Sequence, residues 1–321
     1  MVDPSINELL EKNETLTKEL EALKIYLSEV ESTNNHLVSA TWRERDMKKK
    51  LADTIAELNA TKLIVDAQNK RITESINYSR KIQIAINPTE KELKDLFPKS
   101  FIFYIPKDVI SGDFPWLYKL DKYVYAAAVD CTGHGVPGAM MSMIGNLLLN
   151  DIINKGIPLA PSEILHKLHD AVVNTLKQHL SDSSSSDGMD IGLVRIDQTN
   201  GELLFSGAHR PLFIMKGNQI ESFSGDKFPI GGLQHKGLNK YTDTCLTLEK
   251  SDKVILFSDG LPDQINGETK KKLMGKGVKS FFEENTRVPL EELKGKLDTF
   301  FKDWHGSNKQ IDDVLLIALE Y

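Results

Sequence analysis

The feature that most constrains this 321-residue chain is a long stretch without glycine or proline. Neither residue occurs between Ser5 and Asn87, although the whole chain contains 21 glycines and 12 prolines. These two residues are the least compatible with a helix interior, and they mark most turns. The stretch therefore predicts one long helix that ends before Pro88.

A seven-residue repeat runs along this predicted helix. Two sets of positions, a and d, hold mostly apolar side chains over about ten heptads, which is typical of a left-handed coiled coil. The a positions are Ile6, Asn13, Leu20, Leu27, Asn34, Thr41, Lys48, Ile55, Lys62, Asn69 and Ile76, and the d positions are Leu9, Leu16, Leu23, Val30, Leu37, Glu44, Leu51, Leu58, Val65 and Ile72. Three successive polar positions, Thr41, Glu44 and Lys48, weaken the seam in its middle.

We expect the helix to form a parallel two-stranded homodimer through residues 6–76. Asn13, Asn34 and Asn69 all occupy a positions, where a buried asparagine is best matched by its own counterpart in an in-register parallel pair. At 1.5 Å per residue the helix is about 120 Å long, more than one small domain could cover. The alternative is a single amphipathic helix packed on the domain behind it.

Composition and charge limit the classes of partner. The net charge is −6 and no long basic stripe is present, which argues against a nucleic-acid groove or an anionic membrane surface. Two cysteines, Cys131 and Cys245, are too few for a disulfide framework and fit a reducing compartment. No run approaches 18 apolar residues and the N-terminus does not resemble a signal peptide, so we expect a cytoplasmic protein that crosses no membrane.

After Pro88 the sequence changes to short β-rich runs, helices and glycine turns. Several strands follow one another without an intervening helix, which favours an α+β layered fold. The serine-rich run at 181–187 is predicted to be a mobile loop. We expect two parts, a coiled-coil dimerisation and regulatory helix at 1–86 and a second domain at 87–321. Strands are predicted at 101–105, 123–129, 190–196, 203–206, 241–248, 253–257 and 314–318, and helices at 137–154, 161–179, 278–285 and 290–304.

Acidic residues lie in turns beside several of these strands. An aspartate at a strand end is most often a turn former or helix cap. The apolar strands that run straight into Asp130 and Asp259, however, are typical of a rigid site built on strand tips. Converging carboxylates repel one another unless a cation is bound, and oxygen ligands select hard ions such as Mg²⁺ or Mn²⁺. The other acids in such settings are Asp113, Asp312 and Asp313.

The segment DCTGHGVPGAMMS at 130–142 adds an anion-binding element. Gly133 and Gly135 allow the backbone to approach a ligand closely. Pro137 suits the first turn of a helix, whose free N–H groups and positive dipole end then face the glycine turn. We expect a phosphate group to be favoured there.

From about Pro88 to Tyr321 the chain resembles the SpoIIE-like phosphatases, a bacterial branch of the metal-dependent PPM protein phosphatases. The resemblance implies an α+β fold, a PPM-type β-sandwich flanked by helices, with a two-metal centre at one end. It implies hydrolysis of phosphoserine or phosphothreonine by metal-activated water, often on a small anti-sigma-factor antagonist. The motifs that carry it are SGDF at 111–114, DCTGHGVPGAMMS at 130–142, MDIGLV at 189–194, SGAHRPL at 206–212, PIGG at 229–232, SDGLPDQ at 258–264 and QIDD at 310–313.

The resemblance also implies roles for individual residues. Asp130 would bridge two Mn²⁺ or Mg²⁺ ions as the catalytic centre, and Asp190 matches a position that helps to hold a third ion. The family has glycine where this chain has Cys131, but the proposed ligand is the backbone carbonyl. The remaining metal ligands would be Asp113, Asp259 and Asp312. QIDD lacks a threonine that often follows such a pair, which leaves Asp313 as an alternative to Asp312; alternation along the next strand favours Asp312.

Two further residues, His134 and Arg210, are expected to contact the substrate. His134 would support the glycine turn or reach the leaving-group oxygen through water. Arg210, beside His209, would bind phosphate or stabilise a turn. A nucleophilic pair of Cys131 with His134 is disfavoured, because no arginine-bearing cysteine-phosphatase loop follows.

Two other functions compete with the phosphatase. A catalytically silent, dimeric phosphatase-like scaffold would be expected to have lost metal ligands, whereas the aspartate set is intact here. A metal-dependent nucleotide hydrolase is the other alternative, but the sequence contains no phosphate-binding loop of the GxxxxGK type to support it.

Overall fold

The computed structural model describes residues 4–179, 187–232 and 240–321. The loop predicted at 181–187 lies outside them, except for Asp187. The chain divides into two units, Met1–Ile72 and Thr73–Tyr321. The last turns of the long helix therefore belong to the second unit, while the division at residue 86 stays a prediction.

The N-terminal helix α1 is continuous over Pro4–Ile86, as the absence of glycine and proline predicts. Its apolar a and d side chains are exposed within this chain; Leu9, Leu23 and Leu58 expose 67%, 67% and 65% of their surface. Two ion pairs join residues four apart on α1: Glu44 with Lys48, within the weakened part of the seam, and Asp46 with Lys50, outside it. A row of exposed leucines of this length is a surface that helices bury against a partner.

The second unit contains six more helices and eleven strands among its described residues. The helices are α2 (Glu90–Leu96), α3 (Gly135–Ile153), α4 (Pro161–Thr175), α5 (Gly260–Asp263), α6 (Met274–Glu284) and α7 (Leu290–His305). The strands are β1 (Ser100–Ile105), β2 (Phe114–Leu120), β3 (Tyr123–Cys131), β4 (Gly188–Asp197), β5 (Glu202–Ala208), β6 (Leu212–Lys216), β7 (Gln219–Phe223), β8 (Ile230–Gly231), β9 (Thr244–Thr247), β10 (Lys253–Phe257) and β11 (Val314–Glu320).

The strands form two antiparallel sheets that pack face to face, and a layer of helices covers the outer face of each sheet. One sheet has the order β1-β11-β10-β6-β7 and the other β2-β3-β4-β5-β9, with β8 paired to β4. Alternate side chains of the strands meet between the sheets, for example Ala126 and Val194 of one with Leu256 and Leu315 of the other. The outer face of the sheet that contains β1 packs on α6 and α7, and the outer face of the sheet that contains β2 packs on α3 and α4. The α+β sandwich flanked by helices is thus confirmed.

Some elements were not predicted, and each has a physical reason. β2 contains Pro115, which argues against a strand, but β2 lies at a sheet edge where the missing N–H breaks no ladder bond. β6 and β7 form a hairpin joined by Gly217 and Asn218, a turn signal within an otherwise apolar run. Among the described helices only α3 is long and apolar enough to span a membrane, and half of the tested stretch is buried in the domain.

Candidate active site

Four of the acids predicted from the motifs lie around one cavity of about 340 Å³. Asp130 near the end of β3 and Asp190 on β4 are register partners in the same sheet. Asp259 follows β10 and Asp312 precedes β11, so both come from the facing sheet. All four residues line the cavity. Two sheets thus bring together carboxylates that are up to 182 residues apart in sequence, from Asp130 to Asp312.

Asp113 lies buried beside the cavity, with only 3% of its surface exposed. The Asp113 N–H donates to Ser111 Oγ at 3.0 Å, and one carboxylate oxygen, Oδ2, has no hydrogen-bond partner. Gly112 lets this loop approach the glycine turn, because a Cβ there would lie 2.5 Å from the carbonyl oxygen of Gly133. An unpaired buried carboxylate oxygen needs a cation or a proton.

The neighbouring acids Asp312 and Asp313 face different surroundings. Asp312 lines the cavity, whereas Asp313 is 2% exposed. The Asp313 carboxylate accepts hydrogen bonds from the N–H groups of Lys107 at 2.7 Å and Gly112 at 2.8 Å. Asp313 is therefore engaged in holding the loop before Asp113, and Asp312 is the one available to a ligand.

Negative charge accumulates in this region. Burial, and then the charge of Asp259, raise the pKa of Asp130 from 3.8 to about 8. Burial and the charge of Asp130 raise the pKa of Asp113 well above its usual value. The Arg210 guanidinium offsets part of the charge, at 2.7 Å from Asp190, 3.4 Å from Asp259 and 3.6 Å from Asp130. His209 also contacts Asp190, at 2.9 Å.

The donor set fits a hard divalent cation. Its side-chain ligand atoms are carboxylate oxygens. Burial and the neighbouring carboxylates raise the pKa values of Asp113 and Asp130, so a bound cation would stabilise their charged forms. No three His, Cys, Asp or Glu side chains within 4–179, 187–232 and 240–321 already converge closely enough to hold an ion. Arg210 lies among three of the acids, Asp130, Asp190 and Asp259.

The sequence profile of Stage II sporulation protein E (SpoIIE) matches residues 121–321. The chain belongs to the SpoIIE family. Among solved structures it is similar to the SiaA-PP2C domain of Pseudomonas aeruginosa, with 27% identity and a TM-score of 0.72, over 79% of this chain and 99% of that one. No curated protein matches the chain.

Two more distant structures share the fold of this SpoIIE-family chain. They are the RsbU and RsbW domains of Rv1364c from Mycobacterium tuberculosis, with 19% identity and a TM-score of 0.55, over 70% of this chain and 60% of that one, and the PP2C phosphatase domain with a fragment of the regulatory domain of SpoIIE from Bacillus subtilis, with 17% identity and a TM-score of 0.55, over 69% and 61%. This chain therefore spans about three fifths of each of them.

In this SpoIIE-family site, Cys131 and His134 do not form a pair. The Cys131 side chain packs in the core between β3 and the helices, and burial raises the pKa of its thiol, which disfavours a thiolate. His134 lies at the cavity and its Nδ1 contacts Asp108 at 2.9 Å. Sequence reasoning missed Asp108, whose only signal is its place in a turn before SGDF.

Gln83 is a second residue that the sequence did not reveal. It falls one heptad after Ile76, at an a position, where a glutamine would be taken for part of the coil. In the structure it is 5% exposed. Its amide nitrogen donates to the Ser111 carbonyl at 2.7 Å and to Ser142 Oγ at 2.9 Å, and its oxygen accepts the Ser111 N–H at 3.2 Å. The end of α1 is therefore bonded to the loop that carries Asp113 and to α3.

Proposed function

We propose that this chain is a metal-dependent protein serine/threonine phosphatase that hydrolyses phosphoserine or phosphothreonine on a partner protein. The observation that carries the proposal is the convergence of Asp130, Asp190, Asp259 and Asp312 on one cavity, next to the N-terminus of α3. Membership of the SpoIIE family and the likeness to PP2C-type domains support the reaction class.

Different residues of the chain would bind the cations and the phosphate group. Asp113, Asp130, Asp259 and Asp312, with the carbonyl of Cys131, would hold two Mn²⁺ or Mg²⁺ ions, and Asp190 would help with a third. Divalent ions held there would activate water near neutral pH and neutralise phosphoryl charge. No nucleophile from the protein is required, which agrees with the buried thiol of Cys131.

Phosphate would be oriented by the N-terminus of α3. The N-cap residue, His134, makes no side-chain cap, so its imidazole does not compete for the first N–H groups of this 19-residue helix. These N–H groups and the positive end of the helix dipole favour an anion. His134 itself, which lines the cavity, would reach the leaving-group oxygen through water. Arg210 would contact phosphate only if it broke one of its ion pairs with Asp190 and Asp259.

The partner we propose is a small phosphorylated anti-sigma-factor antagonist, as the resemblance implies, and the proposed compartment is the cytoplasm. We further propose that residues 6–76 pair with a second copy of the chain. The exposed apolar seam of α1 supports this assembly. The bonds from Gln83 to Ser111 and Ser142 support regulation of the catalytic domain by the helix.

A dephosphorylation assay tests the proposal. Phosphorylated antagonist proteins from the same genome are incubated with the chain and Mn²⁺, with a chelator as control. We expect metal-dependent release of phosphate that is lost in Asp130→Asn, because this change removes a central negative charge while keeping the shape of the side chain. Undiminished turnover by Asp130→Asn or by chelated protein would contradict the metal mechanism. Metal binding without turnover of any phosphoprotein would favour the silent scaffold.

A further inference from the structure

Part of the cavity is lined by glycine residues, which expose only backbone atoms. Gly188 of β4 and Gly231 of β8 are register partners, and together with Gly232 they form what we call the glycine wall. Gly231 has a φ of +83°, and a Cβ there would lie 2.9 Å from the carbonyl oxygen of Asp187. Only glycine fits this position without strain, and the wall therefore presents no side chains to a ligand.

The glycine wall is joined to the loop that carries Asp130. The Thr132 N–H donates to the Gly188 carbonyl at 3.0 Å, and the Gly188 N–H donates to Thr132 Oγ1 at 3.0 Å. Thr132 Oγ1 also donates to the Gly188 carbonyl, at 3.1 Å, and Asp130 itself pairs with Asp190 in the adjoining β3–β4 ladder, so the wall is fixed relative to Asp130. The wall and the acids line the same cavity, so a ligand bound to the acids lies close to this main chain.

Two side chains outside the acidic cluster hold the wall in place. Nδ1 of His169, on α4, accepts the Gly231 N–H at 3.1 Å. Gln178, which is fully buried, accepts the Gly232 N–H at 2.8 Å through Oε1 and donates to the Asp187 carbonyl at 2.6 Å through Nε2. Burial lowers the pKa of His169, which favours the neutral ring whose Nδ1 can accept this hydrogen bond. Neither residue is among those that contact the acids.

The size of the cavity indicates what lies against this wall. A volume of about 340 Å³ is near the lower end of the ~300–1,000 Å³ typical of small-molecule sites. It accommodates a phosphorylated side chain, while the rest of a protein substrate must cross the rim. A wall without side chains allows the main chain of such a substrate to approach closely.

We infer that His169 and Gln178 are positioning residues for a polypeptide substrate, holding the glycine wall against which the chain beside the phosphorylated residue lies. This inference rests on the proposed phosphatase function. It assigns substrate selection to α4 and the turn after it, whereas the acids carry the reaction. Loss of either side chain should weaken peptide binding and leave the hydrolytic step intact.

The test compares two substrates with the same leaving group. One is a single phosphoserine residue blocked at both ends, and the other is a nonapeptide with phosphoserine at its centre. For His169→Leu we expect the KM of the nonapeptide to rise roughly three- to tenfold, because the Gly231 N–H loses its acceptor and the wall is no longer held in place. Its kcat, the half-saturating Mn²⁺ concentration and both constants for the single residue should stay unchanged.

Matched variants make the result decisive. His169→Asn places an oxygen near the position of Nδ1 and should restore the KM. Gln178→Leu removes the acceptor for the Gly232 N–H and should raise the KM of the nonapeptide in the same way as His169→Leu. Lys167→Ala, on an exposed turn of α4, is the neutral control. Equal losses on both substrates, or no change in KM, would overturn the inference. Failure of the unaltered protein to hydrolyse either substrate with Mn²⁺ would instead refute the proposed function.

Discussion

The most informative perturbation of this protein is Gln83→Leu. Leucine keeps the approximate volume of glutamine but can neither donate nor accept a hydrogen bond. Ser111 is fully buried, with 0% of its surface exposed. Its N–H then loses its hydrogen-bond acceptor, the side-chain oxygen of Gln83. The Ser111 carbonyl retains only the Ser142 hydroxyl, at 3.4 Å. The change therefore orphans one buried donor and weakens the bonding of one buried acceptor.

These losses set the expected magnitude. An unsatisfied buried polar group costs about 1–3 kcal/mol, so the orphaned donor and the weakened acceptor together cost about 2–4 kcal/mol. For a unit of this size each kcal/mol lowers the Tm by about 2–4 °C, which gives a decrease of about 4–16 °C. Ser111 is two residues from Asp113, and its Oγ accepts the Asp113 N–H. If about 1.4 kcal/mol of the cost falls on Asp113, the half-saturating Mn²⁺ concentration rises about tenfold.

The assay combines thermal unfolding with a Mn²⁺ titration of phosphatase activity. Gln68→Leu is the matched control, because Gln68 is an exposed glutamine on the same helix. It should change neither quantity. The reasoning would be refuted by a Gln83→Leu protein with unaltered Tm and Mn²⁺ dependence. It would also fail if Tm fell while the Mn²⁺ dependence stayed constant, since Gln83 would then stabilise the fold without positioning Asp113.

Three further predictions concern the thiol, the assembly and the charge of the site. Cys131→Ser should keep substantial activity at saturating Mn²⁺, because the position is proposed to act through its carbonyl; initial rates as low as those of Asp130→Asn would instead indicate thiol chemistry. Sedimentation equilibrium should show a dimer for the full chain and a monomer for a chain beginning at Thr73, which retains Gln83; a monomeric full chain would contradict the coiled coil. In chelator, Tm should fall as pH rises from 5 to 8. The pKa of Asp130 is about 8 in the folded chain against 3.8 ordinarily, so the folded state binds the extra proton and that stability is lost as pH passes through the folded pKa. Differential scanning fluorimetry would check this, and a flat profile, or a fall that persists with saturating Mn²⁺, would argue against the assignment.

Much of the fold could be predicted because its signals are local. The absence of glycine and proline marks α1 to within a residue at each end. The apolar runs of β3, β10 and β11 are visible in sequence because these strands are buried on both faces. β2 could not be identified in the same way, because it contains a proline. A proline is incompatible with a central strand, and it is tolerated here only because β2 lies at the edge of its sheet.

The candidate site was predictable where a residue type reveals its chemistry. An aspartate at the end of a buried strand stands out, and alternation from Val314 separates Asp312 from Asp313, as the structure places them. Gln83 and Gln178 give no such signal, because an amide in a helix or turn is ordinarily a surface residue. Their burial depends on partners 28 and 9 residues away, which only the three-dimensional structure brings together.

The place of β11 in its sheet has a consequence for biosynthesis. This strand lies between β1 and β10 and follows both of them in the chain, so the sheet that positions Asp259 and Asp312 cannot close until residues near Glu320 have left the ribosome. The helix α1 is complete at residue 86, about 230 residues earlier. At roughly 5–20 residues per second that interval is on the order of 10–50 s. Helices on neighbouring ribosomes of one messenger therefore have time to pair while both catalytic domains are still being synthesised, and the proposed dimer would form from chains of the same transcript before either could act on a substrate.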